Sequence, residues 1–451
     1  MNTVNSGDIS WMLTSSALVL IMTPGLALFY GGMAGRKNTV NTIMSSAFIL
    51  GLASILWVLF GFSLSFSGGA GGIIGDLSWF GMNFTEDTAA TAYAPTTVCF
   101  AVFQMMFAII TPALITGALI GRMRFSALIL FITLWSVLVY YPLAHMVWGG
   151  GYLMELGAID FAGGTVVHIS SGVSALMAAI WLGKRKKNEI KESRAHNMPL
   201  VFLGAALLWF GWFGFNAGSA GAANTLAVHA FMTTNTACAA AILSWMLLEK
   251  FHKGKTTLSG VSTGIVVGLV AITPGAGFVP IWASLIIGAL VSPICYFFIT
   301  VVKPKFGYDD SLDAFGCHGI GGVWGAIATG IFAVKGFHPD PSADAVKWNG
   351  IFFGQSELLV RQLIAIGITL VLSLVGTAIA LGVTQLIFKR IRVTPEEEAL
   401  GLDFSEHGEP AYPAFDGIDS PEVGYAFSEA EEALTEKAYQ TERKSAETVG
   451  G

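Results

Sequence analysis

Charged side chains are rare in this chain. Asp, Glu, Lys and Arg make up 12% of its 451 residues, about half their share of an ordinary soluble domain. With 54% hydrophobic residues and a mean hydropathy of +0.66, the chain is not the set of about three soluble domains that length alone would suggest. Period-2 alternation is missing as well. That excludes a membrane β-barrel and leaves helices as the way to satisfy a backbone in hydrocarbon. Cysteine is limited to Cys99, Cys238, Cys295 and Cys317. They form no C-x-x-C pair and lie within or at the ends of apolar runs, as small core residues do. The first 35 residues hold no Lys or Arg. A cleavable signal needs a basic start, so the first apolar run is expected to stay as a helix. There is no nucleotide loop and no catalytic constellation. No enzyme activity, cofactor or nucleic-acid partner is therefore expected.

What the chain does have is apolar runs of roughly 20 residues, the length of a spanning helix. Eleven can be marked: 10–32, 42–66, 97–120, 125–144, 162–183, 199–217, 228–250, 259–272, 280–301, 313–334 and 356–389. The eighth is short and ends in TPGAG. Glycine is abundant, at 54 residues. Gly117/Gly121, Gly214/Gly218, Gly264/Gly268 and Gly321/Gly325 have the small-xxx-small spacing that lets helix backbones approach. Basic residues fill alternate loops: Arg36 and Lys37; Arg122 and Arg124; KRKKNEIKESR; Lys250, Lys253 and Lys255; Lys303 and Lys305; Lys389, Arg390 and Arg392. The loops between hold only Lys335 and Lys347. The positive-inside rule then puts the N-terminus outside and the C-terminus in the cytoplasm. An odd number of spans fits. Residues 1–392 are expected to form an all-α polytopic membrane domain of eleven transmembrane helices, and 393–451 a polar cytoplasmic tail.

One pattern occurs twice. In DFAGGTVVH, Asp160 stands eight residues before His168; in DSLDAFGCH, Asp310 stands eight residues before His318. Glycines follow both, at Gly172 and at Gly319, Gly321 and Gly322. The first copy opens span five from outside and the second opens span ten from the cytoplasm. Such a pair is expected of two inverted five-helix repeats with a site at their interface, leaving a long eleventh helix outside the repeat. At 1.5 Å per residue each histidine lies about 12 Å of helix beyond its aspartate. Both can reach the middle of the bilayer and meet. Ionisable residues there are functional candidates, although a lone histidine can be an ordinary interhelical hydrogen bonder. Each aspartate can equally be a helix N-cap. Two histidines without a third ligand do not make a metal site.

These motifs resemble the ammonium transporter family, which includes the Amt and Rh proteins. DFAGGTVVHISSG, TPGLALFYGGM, WFGWFGFNAGS and FGCHGIGGVWG carry the likeness, and the tail EEEALGLDFSEHGEPAY is similar to that of bacterial Amt proteins. The resemblance spans roughly residues 10 to 413 and is closer to bacterial Amt than to Rh. It implies an outer vestibule of Trp148, Phe107, Ser219 and Phe103 that recruits ammonium (methylammonium being its analogue), with Asp160 close by. It implies a gate of Phe107 and Phe215, and beneath it a pore lined by His168 and His318. Gln104, Trp212 and Asp310 are secondary candidates. Aromatic faces attract cations, and Phe103 and Phe107 share a helix face, although plain packing explains two phenylalanines as well.

Potassium and ammonium are alike in size and charge, and an apolar pore penalises both. Only ammonium can shed a proton and cross as a neutral molecule. Neutral imidazoles carry one donor and one acceptor each and can relay a proton. The expected function is recruitment of ammonium outside, deprotonation, and passage of ammonia past the histidines, with or without the proton. The alternative is an ammonium sensor that signals through its tail with little flux. Trp148, Ser219 and the tail argue against an Rh-like gas conduit. The resemblance also implies a homotrimer in a bacterial cytoplasmic membrane and an ordered tail segment from Glu396 to Tyr412, including Gly401 and Asp403, on a face where bacterial relatives bind a PII signalling protein. Further on, Ser428 and Glu431 have capping-box spacing, and a short amphipathic helix is expected there.

Overall fold

The structure is a computed structural model and describes residues 5–69, 71–83, 95–185, 195–337 and 346–412. The helix expected around Ser428 lies outside the described residues. Among the described residues, ten helices are long and apolar enough to cross a bilayer: α1 Ser6–Met33, α2 Arg36–Phe66, α3 Thr97–Ala118, α4 Phe125–Leu156, α5 Gly164–Leu182, α6 Met198–Ala217, α7 Thr225–Lys253, α9 Ile281–Phe306, α10 Phe315–Phe332 and α11 Glu357–Phe388. The eleventh apolar helix is α8, Leu258–Ile272. Among the described residues there is no β-strand, only one isolated bridge between Met123 and Arg392.

At 15 residues, α8 rises about 22 Å and falls short of the hydrocarbon thickness. The turn after it makes up the distance as buried non-helical chain, tolerated in a membrane only where protein satisfies it. Here it does: Phe161 N–H donates to the Pro274 carbonyl at 3.0 Å, the Thr233 hydroxyl to Ala276 at 2.6 Å, and Val334 N–H to Phe278 at 2.8 Å. Other boundaries shift from expectation. The second span starts earlier, with a short 3-10 turn at Arg36–Asn38. The fourth runs on past residue 144 to Leu156, broken only around Gly149–Gly151.

Repeat-equivalent helices meet glycine to glycine. α1 crosses α6 where a Cβ on Gly25 would lie 3.3 Å from the Gly204 carbonyl and one on Gly204 2.6 Å from the Gly25 carbonyl. α5 crosses α10 where a Cβ on Gly172 would lie 2.1 Å from the Gly319 nitrogen. The four cysteines are buried free thiols.

α11 lies against α5, α10 and α4. Its buried stripe sets polar residues among apolar ones: Gln362, Thr369, Ser373, Thr377 and Thr384. Thr377 and the Trp135 indole both donate to the Ser174 hydroxyl, each at 2.8 Å.

The basic end of the bundle is tied by Arg122, which is fully buried. Its guanidinium donates to the carbonyls of Gly183 and Asp309 at 2.6 and 2.7 Å and also reaches that of Ala118. Asp309 pairs with Arg185 at 2.8 Å and with Arg122 at 3.4 Å. Burial alone would raise the Asp309 carboxyl; Arg185 and Arg122 outweigh it and hold the group well below the usual carboxylate range. The tail folds back onto this end as α12, Pro395–Leu400, opened by a Thr394–Glu397 capping box, and α13, Leu402–His407. Asp403 accepts from Asn41 N–H at 2.8 Å, Lys37 donates to Ala399 at 2.9 Å and Glu406 accepts from Phe125 N–H at 3.0 Å. Gly401 has φ +98°, and a Cβ there would sit 2.6 Å from Lys37. Glu396 is on the exposed side of α12.

Candidate functional site

The two Asp-to-His motifs do not run as helix from end to end. Asp160 and the three residues after it are non-helical, and Gly163 has φ +116°. The Asp160 carboxylate folds over the start of α5. It accepts from the N–H groups of Gly163 (2.8 Å), Gly164 (2.5 Å), Thr165 (2.7 Å) and Val166 (3.2 Å), and from the Thr165 hydroxyl. These are the orphan donors of a helix N-terminus, satisfied by one residue. Both carboxylate oxygens are engaged in this way. Asp310 repeats the cap on Ala314 N–H at 3.1 Å and Phe315 N–H at 2.8 Å. Burial and then the neighbouring Asp313 push its carboxyl up to about 6.

Each capped helix opens with a π turn, Gly164–Ile169 and Phe315–Gly319. The extra residue in the turn re-aims the side chains it carries. His168 and His318 occupy these turns and meet with rings 27° from parallel, centroids 5.4 Å apart and Nδ1 atoms 3.4 Å apart. Both are buried. The approach depends on the glycine four residues after each histidine. A Cβ on Gly172 would press on Gly319 and on the His318 carbonyl carbon at 3.0 Å. A Cβ on Gly322 would press on the His168 Cβ at 3.2 Å.

Five rings follow one another through the bundle. Trp148 meets Phe107 edge-on (5.9 Å, 83°), Phe107 stacks on Phe215 (4.2 Å, 23°), Phe215 faces His168 (6.0 Å, 28°), and His168 faces His318. Phe215 also sits on a π turn, Phe213–Ala217. Phe103 packs edge-on against Phe107 at 5.0 Å, and Trp212 stacks beside His168 at 5.4 Å with its indole bonded to the Thr273 hydroxyl. The Trp148 indole donates to the Asp160 carbonyl at 2.8 Å, so the cap and the first ring are locked together. The Ser219 hydroxyl, half-buried, donates to the Phe215 carbonyl at 2.8 Å and retains acceptor capacity. Buried Gln104 leaves its amide oxygen, and His168 its Nε2, without a hydrogen-bond partner.

Beside the histidines runs a void lined by Met22, Leu26, Ile110, Leu114, Val167, Leu208 and Val266, with Trp212, Phe215 and the two histidines. Apart from the imidazoles and one indole its wall is hydrocarbon and a phenyl ring. The structure thus brings together Trp148, Phe103, Phe107, Phe215, Trp212, His168 and His318. It sets Asp310 ahead of α10, capping its start, and Glu396, Gly401 and Asp403 in the docked tail. Among the described residues no three His, Cys, Asp or Glu side chains cluster as a metal site would need. The apolar wall of the void was invisible in the sequence, where Leu26 or Val266 resembles any other core residue.

A chain of this architecture matches the family model described as Ammonium Transporter Family over residues 10–412. The chain belongs to the ammonium transporter family. It is 49% identical to the ammonium transporter of Bacillus subtilis over 407 residues, 90% of this chain and 98% of that one. Among solved structures it is similar to Candida albicans Mep2, with TM-score 0.81 and 34% identity, covering 93% and 92% of the two chains. A structure titled Sensor Amt Protein is similar too, with TM-score 0.79 and 29% identity over 89% and 98%. The family member described here is a multi-pass membrane protein of ammonium transport, and its curated relatives are transporters rather than enzymes.

Proposed function

We propose that the row of rings is the transport pathway. Ammonium is recruited at Trp148, Phe107, Phe103 and the Ser219 hydroxyl. There the aromatic faces offset part of its lost hydration, and the hydroxyl oxygen accepts an N–H bond. Asp160 acts by holding the Trp148 acceptor and the α5 turn in place, since its own oxygens are committed to the cap. The Phe107–Phe215 stack closes the way to hydrated ions. Beneath it, ammonium gives up its proton, which either returns to the outer water or follows by way of the imidazoles, and ammonia passes the His168–His318 pair, exchanging hydrogen bonds with imidazole nitrogens along an apolar wall. Potassium has no proton to give up and meets the full cost of dehydration, several kcal/mol or more.

The carrying observation is the buried histidine pair set directly beneath the stacked phenylalanines, with His168 Nε2 unpartnered. The protein works, on this reading, as a homotrimer in the cytoplasmic membrane of a bacterium, with the docked tail offering a face to a PII-type protein. A sensor without flux is not favoured, because the 49% identical relative is an ammonium transporter and the sensor structure is only 29% identical.

The test is reconstitution into liposomes with an ammonium pulse. Lumenal alkalinisation faster than in empty liposomes, with no response to potassium, supports ammonia passage. A simultaneous current shows that the proton follows; silence in both channels defeats the transport reading.

A further inference from the structure

A single amide stands out on α11. Gln362 is 1% exposed in a 32-residue apolar helix. An unpaired amide is costly in such surroundings, but every polar atom of Gln362 is used. Its Oε1 accepts from Ile159 N–H at 2.8 Å, and its Nε2 donates to the Ile159 carbonyl at 2.8 Å. The second Nε2 proton goes to the Ala326 carbonyl on α10 at 3.3 Å. The side chain therefore grips both backbone groups of one residue, as a neighbouring strand would, and holds α10 with the remaining donor. Gly330 makes room for this: a Cβ there would lie 2.8 Å from Leu359 Cα and 3.3 Å from Gln362 Cγ.

Ile159 precedes Asp160. The segment 159–161 has no helical bonds of its own, and three elements fix it: α11 through Gln362, α4 through the Trp148 indole on Asp160, and the turn after α8 through Phe161 on Pro274. Packing alone does not account for a side chain that spends three hydrogen bonds on this segment and on the helix carrying His318. We propose that Gln362 is a positioning residue for substrate recruitment. It sets the height of the Asp160 carbonyl, and with it Trp148, against α10. The inference rests on the recruitment reading above.

The experiment compares Gln362→Met and Gln362→Asn with the wild type in proteoliposomes, reading half-saturation and maximal rate of ammonium uptake separately. Methionine keeps the volume and loses all three bonds. Asparagine keeps an amide but not the reach. Loss of the clamp should raise half-saturation about tenfold in Gln362→Met, with the maximal rate within about threefold, as one unsatisfied buried pair implies. Gln362→Asn should follow. A filling role predicts the reverse order, a normal methionine variant and a defective asparagine one, and that order overturns the proposal. If the methionine variant does not fold, the asparagine variant decides: raised half-saturation with a preserved rate supports the clamp, and unchanged half-saturation overturns it. Trp148→Leu runs alongside. If it raises half-saturation and the Gln362 variants do not, the clamp fails alone; if Trp148→Leu changes nothing, recruitment at Trp148 fails.

Discussion

Replacing Gly172 by alanine should open the histidine pair. A Cβ at that position lies 2.1 Å from the Gly319 nitrogen and 2.5 Å from its Cα. Both are backbone atoms and cannot rotate away. Comfortable contact begins at about 3.5 Å, so α5 and α10 must part by roughly 1 Å. The Nδ1 atoms of His168 and His318 already stand 3.4 Å apart, at the outer limit of a hydrogen bond, and the same parting takes them past about 4 Å. Overpacking of this kind costs about 1–3 kcal/mol, and about 1.4 kcal/mol on the barrier is a tenfold change in rate. The assay is ammonium-driven alkalinisation of proteoliposomes with potassium as the control ion. Gly172→Ala should transport about tenfold more slowly or less. Gly322→Ala meets its neighbours only at 3.0–3.2 Å and should be milder. Gly51→Ala has nothing within 4 Å and should behave as wild type. A Gly172→Ala protein with wild-type flux and selectivity would refute the argument that glycine approach sets the pair.

Other outcomes follow from the same geometry. Asp160→Ala strips the cap from four buried N–H groups and should cost about 2 kcal/mol or more of stability, read as a lowered melting temperature in detergent. Phe215→Leu removes the 4.2 Å stack with Phe107 and should admit a potassium leak measurable as current. The tail should respond to pH. Burial pushes Asp403 up to about 6, although backbone N–H groups of Asn41, Val40 and Thr39 partly hold it down. The docked tail thus binds a proton more readily than the free tail. Docking is then strongest below about pH 4 and weakens as pH rises through about 6. Hydrogen exchange of α13 should be slower at pH 5 than at pH 8 after correction for intrinsic rates, and Asp403→Asn should flatten the dependence.

Much of the architecture was legible because hydrocarbon permits so few solutions. Run length and the doubled Asp-to-His spacing pointed to spans and inverted halves, and membership of the family accords with these; loop charge pointed to an orientation. The distance along the motif was not legible. The 12 Å of helix expected between Asp160 and His168 is instead four residues of non-helical chain and a π turn, because one carboxylate absorbs the donors that would otherwise extend the helix backwards. The short eighth span was readable, but the buried turn that completes it depends on partners such as Phe161 and Thr233, far away in sequence. Gln362 did carry a signal, an amide inside an apolar run, but its partner Ile159 is 203 positions away. The tail's docking onto Lys37, Asn41 and Phe125 is likewise a long-range fit that composition cannot show.

The central claim is that ammonium is separated from potassium at the histidine pair by losing its proton. The direct measurement is a His168→Ala/His318→Ala double variant in liposomes, with ammonium and potassium pulses read as lumenal pH and as current. The account predicts loss of ammonium transport or entry of potassium. Normal ammonium transport with potassium still excluded would contradict it and make the pair structural.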